Sequence, residues 1–126
     1  MGLRVAYRNL GRNSGYLFGG GLVILNYRHH LGTQRVTLAH ELGHWHHGHD
    51  WTRDHDEARD ERQADQYAAR LLISADAYAD AESQVGEHLG ALARELGVTR
   101  RLVELRREDF AREAHIFRVV DEWRTA

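Results

Sequence analysis

The chain has 126 residues, 42% of them hydrophobic and 29% charged, with a formal net charge of −2 and no cysteine. That length fits one domain with a single core, and the near-neutral charge excludes a global pull toward nucleic acid or anionic membrane. Without cysteine there is no disulfide frame and no thiolate site, so any metal must be held by histidine and carboxylate. The N-terminus lacks the apolar segment of a signal peptide, and no run approaches the roughly 18 apolar residues of a membrane span. The expected location is cytoplasmic. Proline is absent, so helices must stop at Gly, Ser or Asp.

Residues 3–8 alternate apolar and polar, as a half-buried strand does. Residues 9–15 are turn chemistry. Tyr16-Leu17-Phe18 and residues 22–26 read as two more strands joined through Gly19-Gly20-Gly21, giving a small antiparallel sheet of about three strands. The glycines are not a phosphate loop, because neither phosphate-binding pattern is present and a strand follows rather than a helix. A sheet edge of this kind can pair with an extended peptide by strand addition. Residues 27–32 form a loop, and Thr33 is the expected N-cap of a helix from Gln34 to His47 that ends at Gly48.

Inside that helix, His40-Glu41-Leu42-Gly43-His44 sets two imidazoles four residues apart with a carboxylate beside the first. Positions i and i+4 share a helix face, so both rings can converge on one metal ion. Glu41 can then reach a water there and act as general base. In a chain with ten histidines the pentapeptide alone is equally a solvated, histidine-rich helix end. The flanking stripe of Val36, Ala39, Gly43 and His47 turns the pair toward an interior. Gly43 costs about 1 kcal/mol relative to Ala inside a helix, which implies a close approach there. Residues 48–56 read as a polar surface loop, with His46, His47, His49 and His55 solvated and capable at most of adventitious metal binding.

Residues 57–73 are strongly helical, with Ala58, Glu61, Ala64, Asp65, Ala68, Leu71 and Leu72 on one stripe. Two acids on an apolar face need partners or a metal. In one reading Glu61 is a third metal ligand and Asp65 hydrogen-bonds the far nitrogen of a ligand histidine. In the other, both acids lie at the solvent edge and pair with Arg59 or Arg62. The upstream His pair favours the first, because two helices joined by a loop then supply a complete His₂Glu open site.

Residues 37–44 and 61–72 together resemble the ImmA/IrrE metallopeptidases of bacteria, phages and mobile elements, whose second motif reads approximately E-x-E-A-N/D-x-F-A-x-x-L-L-M-P. The spacing from Glu61 to Asp65 is also similar to the ligand helix of thermolysin-type gluzincins. The resemblance covers about residues 16–75. It implies a Zn2+-dependent endopeptidase that cleaves a helix-turn-helix repressor, with His40, His44 and Glu61 on the metal, Glu41 catalytic and Asp65 behind the ligands. Gln63 stands where many members carry a second acid, Tyr67 replaces Phe, and Ser74 replaces the usual Pro.

After Ser74 the chain reads as helical to its end. Residues 83–96 are amphipathic, Gly97-Val98-Thr99 makes a turn, and residues 100–107 form a second short helix, an arrangement like a helix-turn-helix. Arg100, Arg101, Arg106 and Arg107 would give it a basic face, diluted by Glu104 and Glu108. A last helix over 110–123 carries Phe110, Ala114, Phe117, Val120 and Trp123 on one face and is expected to pack on the rest. The fold expected is α+β, with a zincin-like core over residues 1–75 and a helix-turn-helix-like extension over 76–126. The second oxygen-stabilising donor of such a peptidase would come from Tyr7, Tyr27, His29 or Tyr78. Two rivals stand beside the peptidase: a helix-turn-helix transcriptional regulator and a toxin-like partner protein, each with a structural, non-catalytic zinc.

Overall fold

The computed structural model describes residues 2–49 and 57–125. Of the loop expected over 48–56, residues 50–56, with His55, lie outside the described residues. Three strands, β1 (Arg4–Arg8), β2 (Gly15–Phe18) and β3 (Leu22–Asn26), precede five helices. These are α1 (Leu31–His47), α2 (Glu57–Leu72), α3 (Ala75–Val85), α4 (Leu89–Leu96) and α5 (Arg100–Thr125). The class is α+β, as expected.

The sheet order is β1-β3-β2. β2 and β3 form the expected antiparallel hairpin, but β1 runs parallel to β3, so the sheet is mixed rather than wholly antiparallel. Alternation of apolar residues encodes a strand but not its direction. Direction is fixed here by Asn26, buried at the end of β3. Its side-chain amide donates to the carbonyls of Gly11 and Asn13 at 3.0 and 2.9 Å, and its own N–H donates to Ser14. Those bonds carry the β1–β2 connection across the end of β3 and leave β3 in the centre. Its Leu-Val-Ile-Leu run is the continuous apolar stretch that a central strand needs, and Val23 and Leu25 are buried.

α1 lies between the sheet and α2, and two glycines let it approach both. On the sheet side, a Cβ on Gly15 of β2 would stand 2.8 Å from the Thr37 methyl. On the other side, a Cβ on Gly43 would stand 2.7 Å from the backbone of Ala64 in α2. Backbone cannot yield as a side chain can, so Gly43 sets how closely the two helices pack. α1 begins at Leu31, three residues before the start expected at Gln34, with His30 rather than Thr33 at the cap position and no side-chain cap bond. Gln34 instead reaches back to donate to the His29 carbonyl at 2.8 Å. His47, expected on the inner stripe of α1, is exposed.

The core takes Ala39 from α1, Ala68 and Ala69 from α2, Ile73, Ala81 from α3, Leu92 and Ala93 from α4, and Leu102, Val103 and Leu105 from α5. Chain breaks fall where capping chemistry occurs. Ser74 accepts from Ala77 N–H at the head of α3, and His88 does the same for Ala91 at the head of α4. The segment expected as one helix over 83–96 is therefore divided at residues 86–88.

The two helices expected over 100–107 and 110–123 are one helix of 26 residues, about 39 Å long at 1.5 Å per residue. Its first third packs on α2 and α4. Asp109 fastens it: buried, it accepts from Arg70 Nε and Nη2 at 2.8 and 2.9 Å and also from Arg112, while Arg106 lies 3.7 Å away. Beyond Phe110, residues 111–124 are all exposed. The expectation that this face packs on the body is therefore corrected: Phe110 meets Tyr78, but Phe117 and Trp123 are 69% and 86% exposed. Among the described residues no helix is long and apolar enough to cross a membrane.

Candidate metal centre

The close contact of α1 and α2 brings three of the expected residues to one point. His40 Nε2 and His44 Nε2 are 3.0 Å apart. Glu61 offers Oε2 to His40 and Oε1 to His44, each at 3.0 Å. Asp65, one turn along α2, holds His40 from behind, Nδ1 to Oδ1 at 2.8 Å. Both acids turn toward the histidines, while Arg62 pairs with Glu108 and Arg59 lies 3.7 Å from Asp60.

Hydrogen placement follows from these partners. A carboxylate can only accept, so Asp65 favours the proton on His40 Nδ1, and in that neutral tautomer the ring turns its Nε2 lone pair toward the site. His44 can behave alike: with the His49 proton on Nε2 facing Gln63 Oε1, His49 Nδ1 is left to accept from His44 Nδ1 at 2.7 Å. Two imidazole lone pairs and a carboxylate then face one another at 3.0 Å. Such a donor set is electron-rich and needs a cation. Tetrahedral zinc ligands at about 2.0–2.1 Å stand about 3.3 Å apart, so the spacing fits a small divalent metal. Among the described residues, His40, His44 and Glu61 are the group of three able to hold one.

Beside this point opens a cleft of about 430 Å³. His40, Glu41 and Asp65 line it together with Ser14 and Gly15, where the chain enters β2. A family model for the IrrE N-terminal-like domain, Peptidase_M78, matches residues 1–108. The chain belongs to this peptidase family. No curated protein matches it. The match takes in every residue of the site and stops where α5 leaves the body of the molecule.

In this Peptidase_M78 chain, a residue assigned above to a solvated loop is part of the site. His49 lies with its side chain nearly buried, its Nδ1 on His44 and its Nε2 2.8 Å from Gln63 Oε1 and 3.4 Å from Asp60 Oδ1. Gly48 puts it there. With φ at +66° it ends α1 in the left-handed conformation, and His49 N–H bonds back to the His44 carbonyl at 3.1 Å. That six-to-one bond, with Gly48 to Trp45 inside it, is a Schellman closure, in which the residue after the glycine packs on the helix residue five before it. Here the packed pair is His49 on His44, so a signal for His49 was present in the spacing of Gly48.

Burial disfavours charge on His40, but the hydrogen bond and charge of Asp65, helped by Glu61 and Glu41, outweigh it and raise its pKa. His44 goes the other way, lowered by burial and by the neighbouring His40 against the pull of Glu61. Burial lifts the Glu41 carboxyl above its ordinary range; His40 opposes and Glu61 adds to the rise. A carboxylate held above its normal value is a stronger base than one in water, which suits proton abstraction. None of Tyr7, Tyr27, His29 and Tyr78 lines the cleft, and Tyr78 is occupied by Arg107 at 2.8 Å. Of the arginines expected on a DNA-reading face, Arg106 donates to the Ile73 carbonyl and Arg107 to Tyr78 and the Glu87 carbonyl, so both face the fold.

Proposed function

We propose that the chain is a zinc-dependent endopeptidase that hydrolyses a peptide bond in a protein partner. The observation carrying this is the convergence of three acceptors, each histidine held from behind, with Glu41 in the same open cleft. His40, His44 and Glu61 would hold the metal. Zinc bound there would supply Lewis-acid chemistry, polarising the scissile carbonyl and making nearby water more acidic. Glu41 accepts the proton of the attacking water on its carboxylate and returns it to the leaving amine nitrogen. Asp65 and His49 fix the tautomers that leave both Nε2 atoms bare. Among the described residues β2 is an edge strand, hydrogen-bonded to β3 alone, and an extended substrate can pair along its open side. A helix-turn-helix repressor as the protein cleaved rests on the resemblance to ImmA/IrrE proteins alone.

Metal content tests the centre. Wild type should hold one equivalent of zinc, and His44→Ala and Glu61→Ala should hold close to none at the same free zinc. Glu41→Gln should keep the metal and the thermal midpoint while losing cleavage of the partner protein by at least 100-fold, the scale of a lost general base. Full zinc in Glu61→Ala would remove Glu61 from the site, and undiminished cleavage by Glu41→Gln would remove the mechanism.

A further inference from the structure

The cleft has a second wall that the family's motif residues do not account for. Thr99, Arg101 and Leu102, from the α4–α5 turn and the first turn of α5, face His40, Glu41 and Asp65 across it. Resting on the peptidase reading, we propose that Arg101 is a substrate-binding residue whose guanidinium takes an oxygen acceptor of the bound peptide. On this view the helix-turn-helix-like segment reads a polypeptide in the cleft rather than a base pair.

Four observations support it. Arg101 lines the same cleft as Glu41. Among the described residues it pairs with Asp65 alone, and Nε stands 3.9 Å from Oδ2, beyond hydrogen-bond length. The five N–H donors of its guanidinium are therefore not committed to the fold by a hydrogen bond among the described residues. Other arginines of α2 and α5 are committed: Arg70 and Arg112 to Asp109, Arg106 to Ile73, Arg107 to Tyr78 and Arg62 to Glu108.

Charge points the same way. Glu41, Glu61 and Asp65 crowd three carboxyl groups around the site, and a divalent cation offsets two. Arg101 is the cation placed to meet a further oxygen without repulsion. Leu102 is buried in the core and anchors the turn, and Thr99 caps it, accepting from Leu102 N–H at 3.2 Å. The base of the Arg101 side chain is thus fixed while the side chain itself remains 47% exposed. Guanidinium binds carbonyl and carboxylate oxygens alike, so the acceptor is either a backbone carbonyl or an acidic side chain of the substrate.

Binding of hydroxamates to the zinc-loaded chain, followed by calorimetry, separates the cases without requiring turnover. Acetohydroxamate reaches only the metal. A trialanine hydroxamate adds backbone carbonyls, and an analogue with glutamate adds a carboxylate. Arg101→Ala should bind acetohydroxamate as wild type does and lose roughly 10- to 100-fold for at least one peptidyl compound, the scale of a charge-assisted hydrogen bond. A loss on both peptidyl compounds identifies the backbone carbonyl; a loss confined to the glutamate compound identifies the carboxylate. Equal loss on all three, acetohydroxamate included, would show that Arg101 acts only through Asp65 and would overturn the inference. So would no loss on either peptidyl compound. Failure of wild type to bind zinc or acetohydroxamate would instead sink the metallopeptidase reading beneath it.

Discussion

His49 shows how much one side chain can add to a metal centre without touching the metal. With Nε2 of His44 facing Glu61, the proton on its Nδ1 needs an acceptor, and His49 Nδ1 is that acceptor at 2.7 Å. The proton on His49 Nε2 in turn faces Gln63 Oε1. Replacing His49 with Ala removes that acceptor from behind His44 and with it one constraint on the ring's tautomer. Zinc affinity should fall by roughly 10- to 100-fold, the usual cost of losing such a partner, as read by competition with a chromogenic chelator. An affinity within twofold of wild type would show that packing alone orients His44. At this scale much was legible. The spacing of His40, Glu41 and His44 and the acids Glu61 and Asp65 on an apolar stripe each left two readings open, and only their combination favoured a metal site. His49 was passed over because a polar run after a helix reads as loop, although Gly48 dictates that the next residue folds back.

Elements were harder to read where polar residues are buried. Glu108-Asp109 interrupts the apolar period of α5 and looks like a break between two helices. In fact Asp109 is an interior acceptor that ties α5 to Arg70 of α2, so the helix runs through it. Its pKa is lowered from 3.8, first by the Arg70 hydrogen bond and then, against the cost of burial, by Arg112. The contribution of a carboxylate with a depressed folded pKa is complete above its unfolded value and disappears as pH falls through the folded one. Asp109→Asn should therefore be less stable than wild type at pH 7, by about 1–3 kcal/mol, the worth of a charge-assisted hydrogen bond. The two should converge as pH drops below about 3.8, the ordinary carboxylate value. Urea midpoints at pH 7 and in acid measure the difference, and a gap that persists undiminished at low pH would assign the loss to packing. The direction of β1 was likewise not legible, because it depends on Asn26 bonding to residues 13 and 15 positions earlier.

At the scale of the whole molecule, an apolar stripe predicts burial but not what does the burying. Ile116, Phe117, Val120 and Trp123 follow the helical period, yet the body of the protein ends before them. Among the described residues the distal half of α5 thus gains little from apolar burial, and a helix whose apolar face stays in water is marginal. Removing residues 115–126 keeps Asp109, Arg112 and Phe110, and with them the contacts that hold α5 to α2 and α3. The shortened chain should unfold within about 2 °C of the full one, which for a domain of this size corresponds to well under 1 kcal/mol, and should bind the same equivalent of zinc. Far-UV circular dichroism should lose no more than the helix removed. A midpoint lowered by 5 °C or more would mean that the exposed stripe is covered in solution, and a concentration-dependent midpoint in the full chain alone would identify the cover as another copy of itself.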